Sequence, residues 1–374
     1  MKIQTIKKMC AIIIICSSIL LSGCGDEKSS WQPVNDGVIK IAVLGQEEYI
    51  VDNGAMEAME MASEDFYEKT GVRIETVVYD DDADYNKGLM CAGKIAEDDS
   101  IGAVLVKQEL DYIDATAEIF DAAGKAFILT NGCYERTINQ GYEYMLVDCI
   151  NARLAGSIMA DYIENNGYKR VAFCHSDTEY EEDELKGLQK RLNDSGSVLA
   201  DTVVGPYTQE EFDIVYQRWL NLGIDVVCIS NYDIYNSDLI KMLREKGSDI
   251  PVVGDYVMDT DEEIAANGKY LDGTAIVSMY INDNEMNNEQ IKKRYEEKYG
   301  MEMSEKAIQS YDITYMLGMG LNSGISKSHE LIDYMKNSEG YQGISGILKF
   351  DENGCLIPDG NEMLIFKNGM FEKQ

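Results

Sequence analysis

Histidine is almost missing from this 374-residue chain, with His175 and His329 the only two. A Ser-His-Asp triad would have to use one of them, and no nucleophile motif stands near either. Metal sites are poorly supplied too, because there is no CxxC pair and no Cys/His cluster. A Walker A loop and a G-x-S-x-G elbow are also lacking. Proline, at four residues, is too scarce for a proline-rich linker, and the 32 glycines show no collagen period. Basic residues are outnumbered 33 to 67, giving a formal charge of −34. That balance excludes binding to DNA, RNA or anionic lipid through a broad electrostatic footprint. What remains is 45% hydrophobic and 27% charged, the composition of an acidic globular protein with a sizeable core.

The N-terminus carries an address. Lys2, Lys7 and Lys8 precede an apolar stretch over 9–21, whose thirteen residues are too few to cross a ~30 Å hydrocarbon layer comfortably. They suit a signal-peptide core. Leu21-Ser22-Gly23-Cys24 resembles the bacterial lipobox, in which the thiol receives a diacylglycerol and the chain is cut before the cysteine. The polar segment 25–30 suits a tether. The expectation is a signal peptide over 1–23, a tether over 24–37 and a lipid on Cys24, holding the protein on the outer face of the cell membrane. Among the other cysteines, Cys174 and Cys228 lie within apolar runs and are expected to be buried as small hydrophobes.

From residue 38 onward, strand-length apolar runs alternate with helical patterns. The run 38–44 ends at Gly45; Ala55, Met59, Ala62 and Phe66 then form one helical stripe, and Gly71 stands where a helix C-cap belongs. Further buried-strand candidates are 72–79, 103–106, 126–129, 171–174, 226–229, 251–253 and 274–277. Continuous apolar strands separated by helices imply parallel sheets covered on both faces. About ten strands suit two lobes better than one sheet, with a second βα series beginning near Asp148. The end reads differently: strand over 344–350, turn over 351–354, strand over 363–366, turn at Asn368-Gly369.

This order resembles the type I periplasmic-binding fold, in its leucine/isoleucine/valine-binding branch of ABC-transporter substrate-binding proteins. The likeness is carried by Tyr299-Gly300, by Ser310-Tyr311-Asp312 opening a helix, and by the G-x-x-G-x-x-x-F-D-x-x-G pattern over 343–354. The segment 151–156 is similar to the sugar-binding branch of the same fold. The resemblance implies an α/β protein of two doubly wound parallel-sheet lobes joined by a three-crossing hinge. Lobe one would comprise 38–147 plus 279–342, and lobe two 148–278 plus 343–374. Crossings are expected near Asp148, Ser278 and Gly343.

Ligands of open α/β sheets bind beyond the carboxyl ends of the strands, and with two lobes the cleft between them is the default site. Reading the strand ends gives Gln46, Lys107, Gln108, Asn131 and Tyr134 from lobe one. Lobe two offers Tyr180, Asn231, Tyr232 and Asp255. Branched-chain amino-acid binders of the resembled branch hold the ligand carboxylate with hydroxyls and backbone N–H groups after the third and fourth strands. Here those places carry Lys107-Gln108-Glu109 and Asn131-Gly132-Cys133, without a serine pair. Lys107 is expected to supply the compensating cation for a carboxylate, and Asp255 is expected to face an ammonium.

Three other signals fail. The acidic stretch 79–85 starts like a calcium loop, but Tyr85 replaces its turn glycine and Cys91 its final glutamate, so an acidic turn is expected. The glycines at 318, 320 and 324 miss G-x-G-x-x-G by one residue and lie in a helical pattern. With 67 acidic residues, neighbouring carboxylates carry no weight for glycosidase chemistry.

The sequence therefore reads as a monomeric, lipid-anchored solute-binding protein without catalysis or cofactor. It would capture a small polar, amino-acid-like ligand and deliver it to an ABC permease. A sugar or nucleoside ligand on the same fold is the alternative, and a surface hydrolase a more distant one.

Overall fold

The computed structural model describes residues 37–108, 110–231, 236–278, 285–325, 327–357 and 363–373. The signal peptide, Cys24, the tether before Gly37, and Tyr232 lie outside the described residues.

Two sheets organise the described chain. The first holds β1 (Val38–Gly45), β2 (Arg73–Asp80), β3 (Ile101–Lys107), β4 (Phe127–Leu129) and β5 (Met145–Val147). All are parallel, in the order β2-β1-β3-β4-β5. Both faces are covered, as continuous apolar strands require. Ile39, Ile41 and Val43 of β1 enter one core, while Ala42 and Leu44 enter the other. The expected helical stripe is realised in the helix Ala55–Thr70, which buries Ala55, Met59, Ala62 and Phe66 and ends at Gly71 with φ +75°.

The second sheet starts with β6 (Arg170–His175), β7 (Val198–Val204), β8 (Val226–Ser230), β9 (Val252–Gly254) and β10 (Ala275–Val277). A short hairpin of β11 (Tyr341–Gln342) and β12 (Ile347–Leu348) stands apart, and β13 (Met363–Lys367) and β14 (Met370–Lys373) close the chain. The sheet order is β14-β13-β10-β9-β8-β6-β7, with β13 and β14 antiparallel at one edge. Their turn is Asn368-Gly369, both at positive φ (56° and 93°), the demand of a tight two-residue hairpin. Val171 and Phe173 of β6 face one core, Ala172 and Cys174 the other. Cys174 and Cys228 are buried free thiols.

The chain changes lobe three times. Cys149 lies in a core of the first sheet and Ile150 in one of the second. β10 belongs to the second sheet, while Tyr295 of the helix Glu285–Tyr299 is buried in the first lobe. The third change differs from the expectation near Gly343. Ile344, Leu348, Phe350 and Leu356 are all buried in the first lobe's core, and the backbone of Cys355 bridges to Val147 at the end of β5. Residues 343–357 therefore belong to lobe one, and the chain crosses between Ile357 and Met363. The physical cause is Asp312: its buried carboxylate accepts hydrogen bonds from the Ile344 amide (2.8 Å), the Ser345 amide (2.7 Å) and the Ser345 hydroxyl (2.6 Å). The tip of the hairpin is thereby pinned onto the helix Glu305–Asn322.

Candidate functional site

The carboxyl ends of the two sheets flank a cleft of about 1660 Å³, larger than the ~300–1,000 Å³ of a typical closed ligand pocket. Gln46, Lys107, Gln108, Asn131 and Tyr134 line it from lobe one, and Tyr180 and Asn231 from lobe two. The structure thus brings together seven of the nine strand-end residues.

Lys107 is the last residue of β3 and is only 3% exposed, yet its ammonium has no hydrogen-bond or ion-pair partner among the described residues. Burial pulls its pKa down to about 8, against the opposing pull of the Asp148 carboxylate. Asp148 is itself buried and is pushed well up, first by burial and then by Asp312. Lys107 is thus a buried amine with the Asp148 carboxyl in its field but no hydrogen-bond or ion-pair partner among the described residues, an arrangement that a ligand anion would complete. Asn131 stands beside it, donating 3.1 Å from Nδ2 to the Lys107 carbonyl.

Gln108 plays a different part. Its Nε2 donates to Asp81 (2.9 Å) and its Oε1 accepts from the Thr116 hydroxyl (2.8 Å). Both ends of the amide are engaged, so Gln108 holds the cleft floor in place. Asp81 in turn accepts from the Ala83 amide (3.0 Å) in the acidic turn after β2, whose Asp80 and Asp82 pair with Lys87. Tyr134 donates to Asp111 (2.9 Å) while the Arg136 guanidinium lies 4.0 Å over its ring.

Asp255 is not in the cleft wall. It is 1% exposed and caps the short helical turn Tyr256–Met258, accepting 2.6 Å from the Tyr256 amide. That turn aims Asp255 inward, toward buried Glu181 and Glu184, and presents Tyr256 and Val257 to the cleft instead. Burial pushes its carboxyl up to about 7, with Glu181 adding to the effect and the Tyr256 amide opposing it.

Two lobes with a cleft at their strand ends match a known family. The family model described as periplasmic binding protein matches residues 44–359. The chain belongs to the periplasmic binding protein family. Its folded part accordingly works outside the cytoplasm. A curated relative, the leucine-, isoleucine-, valine-, threonine- and alanine-binding protein of Pseudomonas aeruginosa, is 18% identical over 290 residues, covering 76% of this chain and 77% of the relative. An ABC transporter substrate-binding protein from Desulfitobacterium hafniense in complex with Leu superposes with a TM-score of 0.80 at 19% identity, over 90% of this chain and all of the other. A solute-binding protein of an R. palustris ABC transporter in complex with benzoate gives 0.65 at 18% identity, over 89% and 94%. These two structures share the fold.

This periplasmic binding protein also lines its cleft with residues that strand ends did not reveal. Ser304, Glu305 and Lys306 start the helix Glu305–Asn322. Burial pushes Glu305 up to about 7, reinforced by Asp259 and opposed by the Ser278 hydroxyl at 3.3 Å. Lys306 sits 4.2 Å over the Tyr49 ring, and burial lowers its pKa to about 8. At one rim Arg136 of lobe one pairs with Asp114 (2.5 Å) and, across the cleft, with Glu179. The Glu135 amide donates 3.1 Å to Asp183 beside it. The sequence signal that could have found Glu305 is Ser304, an N-cap residue type immediately before a helical pattern.

Proposed function

We propose that this protein is a lipid-anchored solute-binding protein that captures a small carboxylate-bearing ligand, amino-acid-like in class, and delivers it to an ABC permease. The observation that carries the reading is Lys107, a buried ammonium without a hydrogen-bond or ion-pair partner among the described residues, lining the interlobe cleft. Two of the similar structures hold leucine and benzoate, and a carboxylate is what those ligands have in common. Asn131, beside Lys107, and Tyr134 would be further lobe-one contacts, with Tyr180 and Asn231 from lobe two. Contacts to both walls exist together only when the lobes close, so the ligand shifts the population toward the closed state. A diacylglycerol on Cys24 would keep the protein at its permease, and the working unit is a monomer. A thermal-shift screen of amino acids, aromatic carboxylates, sugars and nucleosides tests the reading. A carboxylate ligand at a hundredfold excess over Kd should add about 2.7 kcal/mol. Stabilisation by sugars or nucleosides alone would replace it with the sugar-binding alternative, which the cleft tyrosines Tyr49, Tyr112, Tyr134, Tyr180 and Tyr256 would serve by stacking.

A further inference from the structure

Cations enter the cleft from one side only. Lys107, Arg136 and Lys306 belong to lobe one, while the described lining of lobe two carries no Lys or Arg. Arg136 is engaged by Asp114 and Glu179. Neither lysine has a hydrogen-bond or ion-pair partner for its ammonium among the described residues.

Lys107 already asks for one carboxylate. Lys306 asks for another. It is the second residue of the 18-residue helix Glu305–Asn322, where the positive end of the helix dipole disfavours an ammonium and favours an anion. Its Nζ lies 4.2 Å over the Tyr49 ring, and burial pulls its pKa to about 8 with no carboxylate opposing the shift. Its neighbour Glu305 turns instead to the Ser278 hydroxyl (3.3 Å). A second donor stands at this helix start. The Ser304 hydroxyl donates 2.6 Å to the Asn53 carbonyl, and the buried Nδ2 of Asn53, a cleft residue, has no hydrogen-bond partner.

The backbones that carry the two lysines are tied together within lobe one. Gln309, on the Lys306 face one turn later, donates 3.0 Å to the Thr130 carbonyl. Thr130 donates from both its amide and its hydroxyl (3.1 Å each) to the Val106 carbonyl, next to Lys107. The spacing of the two seats is therefore set before the lobes close. A monocarboxylate completes one seat and leaves a desolvated ammonium at the other. The acids across the cleft, Asp238 and Glu262 among them, press an anionic ligand toward the same lobe-one wall.

Resting on the solute-binding reading, we infer that the ligand class is the dicarboxylate, with one carboxylate on Lys107 and the other on Lys306 beside Asn53.

Titration calorimetry on the purified full chain in detergent, with glutamate, aspartate, glutarate, succinate, glutamine, leucine, glucose and adenosine, tests this. Glutamine keeps the shape of glutamate and lacks its second charge. At least one dicarboxylate should bind about tenfold or more tightly than glutamine and leucine, the difference a single charge-assisted contact makes. Binding of glutamate or aspartate alone among the four identifies an acidic amino acid, and binding of glutarate or succinate a plain diacid; either supports the inference. Lys306→Gln should weaken the dicarboxylate about tenfold and leave any glutamine binding unchanged, whereas Lys107→Gln should weaken both. Glutamine or leucine binding as tightly as every dicarboxylate overturns the inference and leaves the carboxylate reading standing, as does an equal loss for glutamate and glutamine in Lys306→Gln. The comparison on the unaltered chain decides even where that variant fails to fold. Binding of glucose or adenosine alone overturns both readings, as does the absence of heat from every ligand with a protein that still melts cooperatively.

Discussion

Gly156 and Gly187 face each other's helices in a reciprocal contact. A Cβ on Gly156 would run into the Glu184 carbonyl, and one on Gly187 into the Arg153 carbonyl. Helices Ala152–Asn165 and Glu179–Leu192 thus touch backbone to backbone. The second of them begins at Glu179 and carries Tyr180 to the cleft, so this contact positions part of the lobe-two wall.

Gly187→Ala should therefore destabilise the protein by about 1–3 kcal/mol, the cost of an added methyl in a filled contact. Gly93→Ala is the control. It lies in the helix Tyr85–Glu97 with open space around its Cα, so alanine should stabilise by about 0.5–1 kcal/mol through helix propensity. Denaturant melts of both variants check the opposite signs.

Binding of a carboxylate should depend on the Lys107 proton. Burial holds its pKa near 8, so the ammonium is present below that value and lost above it. Affinity should hold from pH 6 to 7 and fall between pH 8 and 9.5, and binding near pH 8 should take up a proton. Calorimetry in buffers of different ionisation enthalpy reads that uptake. Lys107→Gln should weaken binding about tenfold to a hundredfold and abolish the uptake near pH 8, which separates Lys107 from any titration of the ligand's own amine.

Asp255 should make the protein less stable at neutral pH than in mild acid. Its folded pKa, about 7, lies above the ordinary carboxyl value near 3.8. Between those values the folded state binds more protons than the unfolded one, so stability falls as pH rises from about 4 to 7. The penalty is complete above 7 and absent below about 4. Glu305, at about 7, and Asp312, at about 6, add slopes of the same sign. Asp255→Asn keeps the shape and removes one ionisation. Its melting temperature should exceed the parent's at pH 8 and vary less with pH; an unchanged pH profile would mean that Asp255 titrates normally.

Cys24→Ala should leave a protein that keeps its signal segment and carries no lipid. Mass spectrometry of the N-terminal peptide and radiolabelled palmitate incorporation report the change. Normal processing and labelling of the variant would refute the anchor at Cys24.

The strands were readable in sequence because each signal is local. Ile39, Ile41 and Val43 alternate with Ala42 and Leu44 within eight residues, and Ala55 to Phe66 repeats at helical spacing. Lys107, Asn131 and Tyr134 were legible for a related reason: in an open α/β sheet the residue after a strand must emerge at one edge. Asp255 obeyed the same rule and still turned away, because its side chain caps the Tyr256–Met258 turn beneath the wall. Glu305 and Lys306 follow no strand at all. They reach the cleft because Tyr311, Ile313 and Leu317 bury their helix in lobe one and aim its first turn at the gap.

By itself, then, the order of apolar runs determined parallel sheets covered on both faces, favoured two lobes over one sheet and nominated the strands' carboxyl edges, since hydrophobic periodicity is written within a few residues of each element. Where the chain makes its last crossing was decided only by the tertiary structure, through a carboxylate at 312 that binds backbone amides more than thirty residues away. The charge asymmetry of the cleft was decided there too. Asp238, Glu262 and Glu263 are three among 67 acidic residues in the sequence, and only folding sets them on one wall, opposite a lysine with no ion-pair partner among the described residues. Coulomb interactions depend on distance in space and on burial, and neither is a local property of the chain.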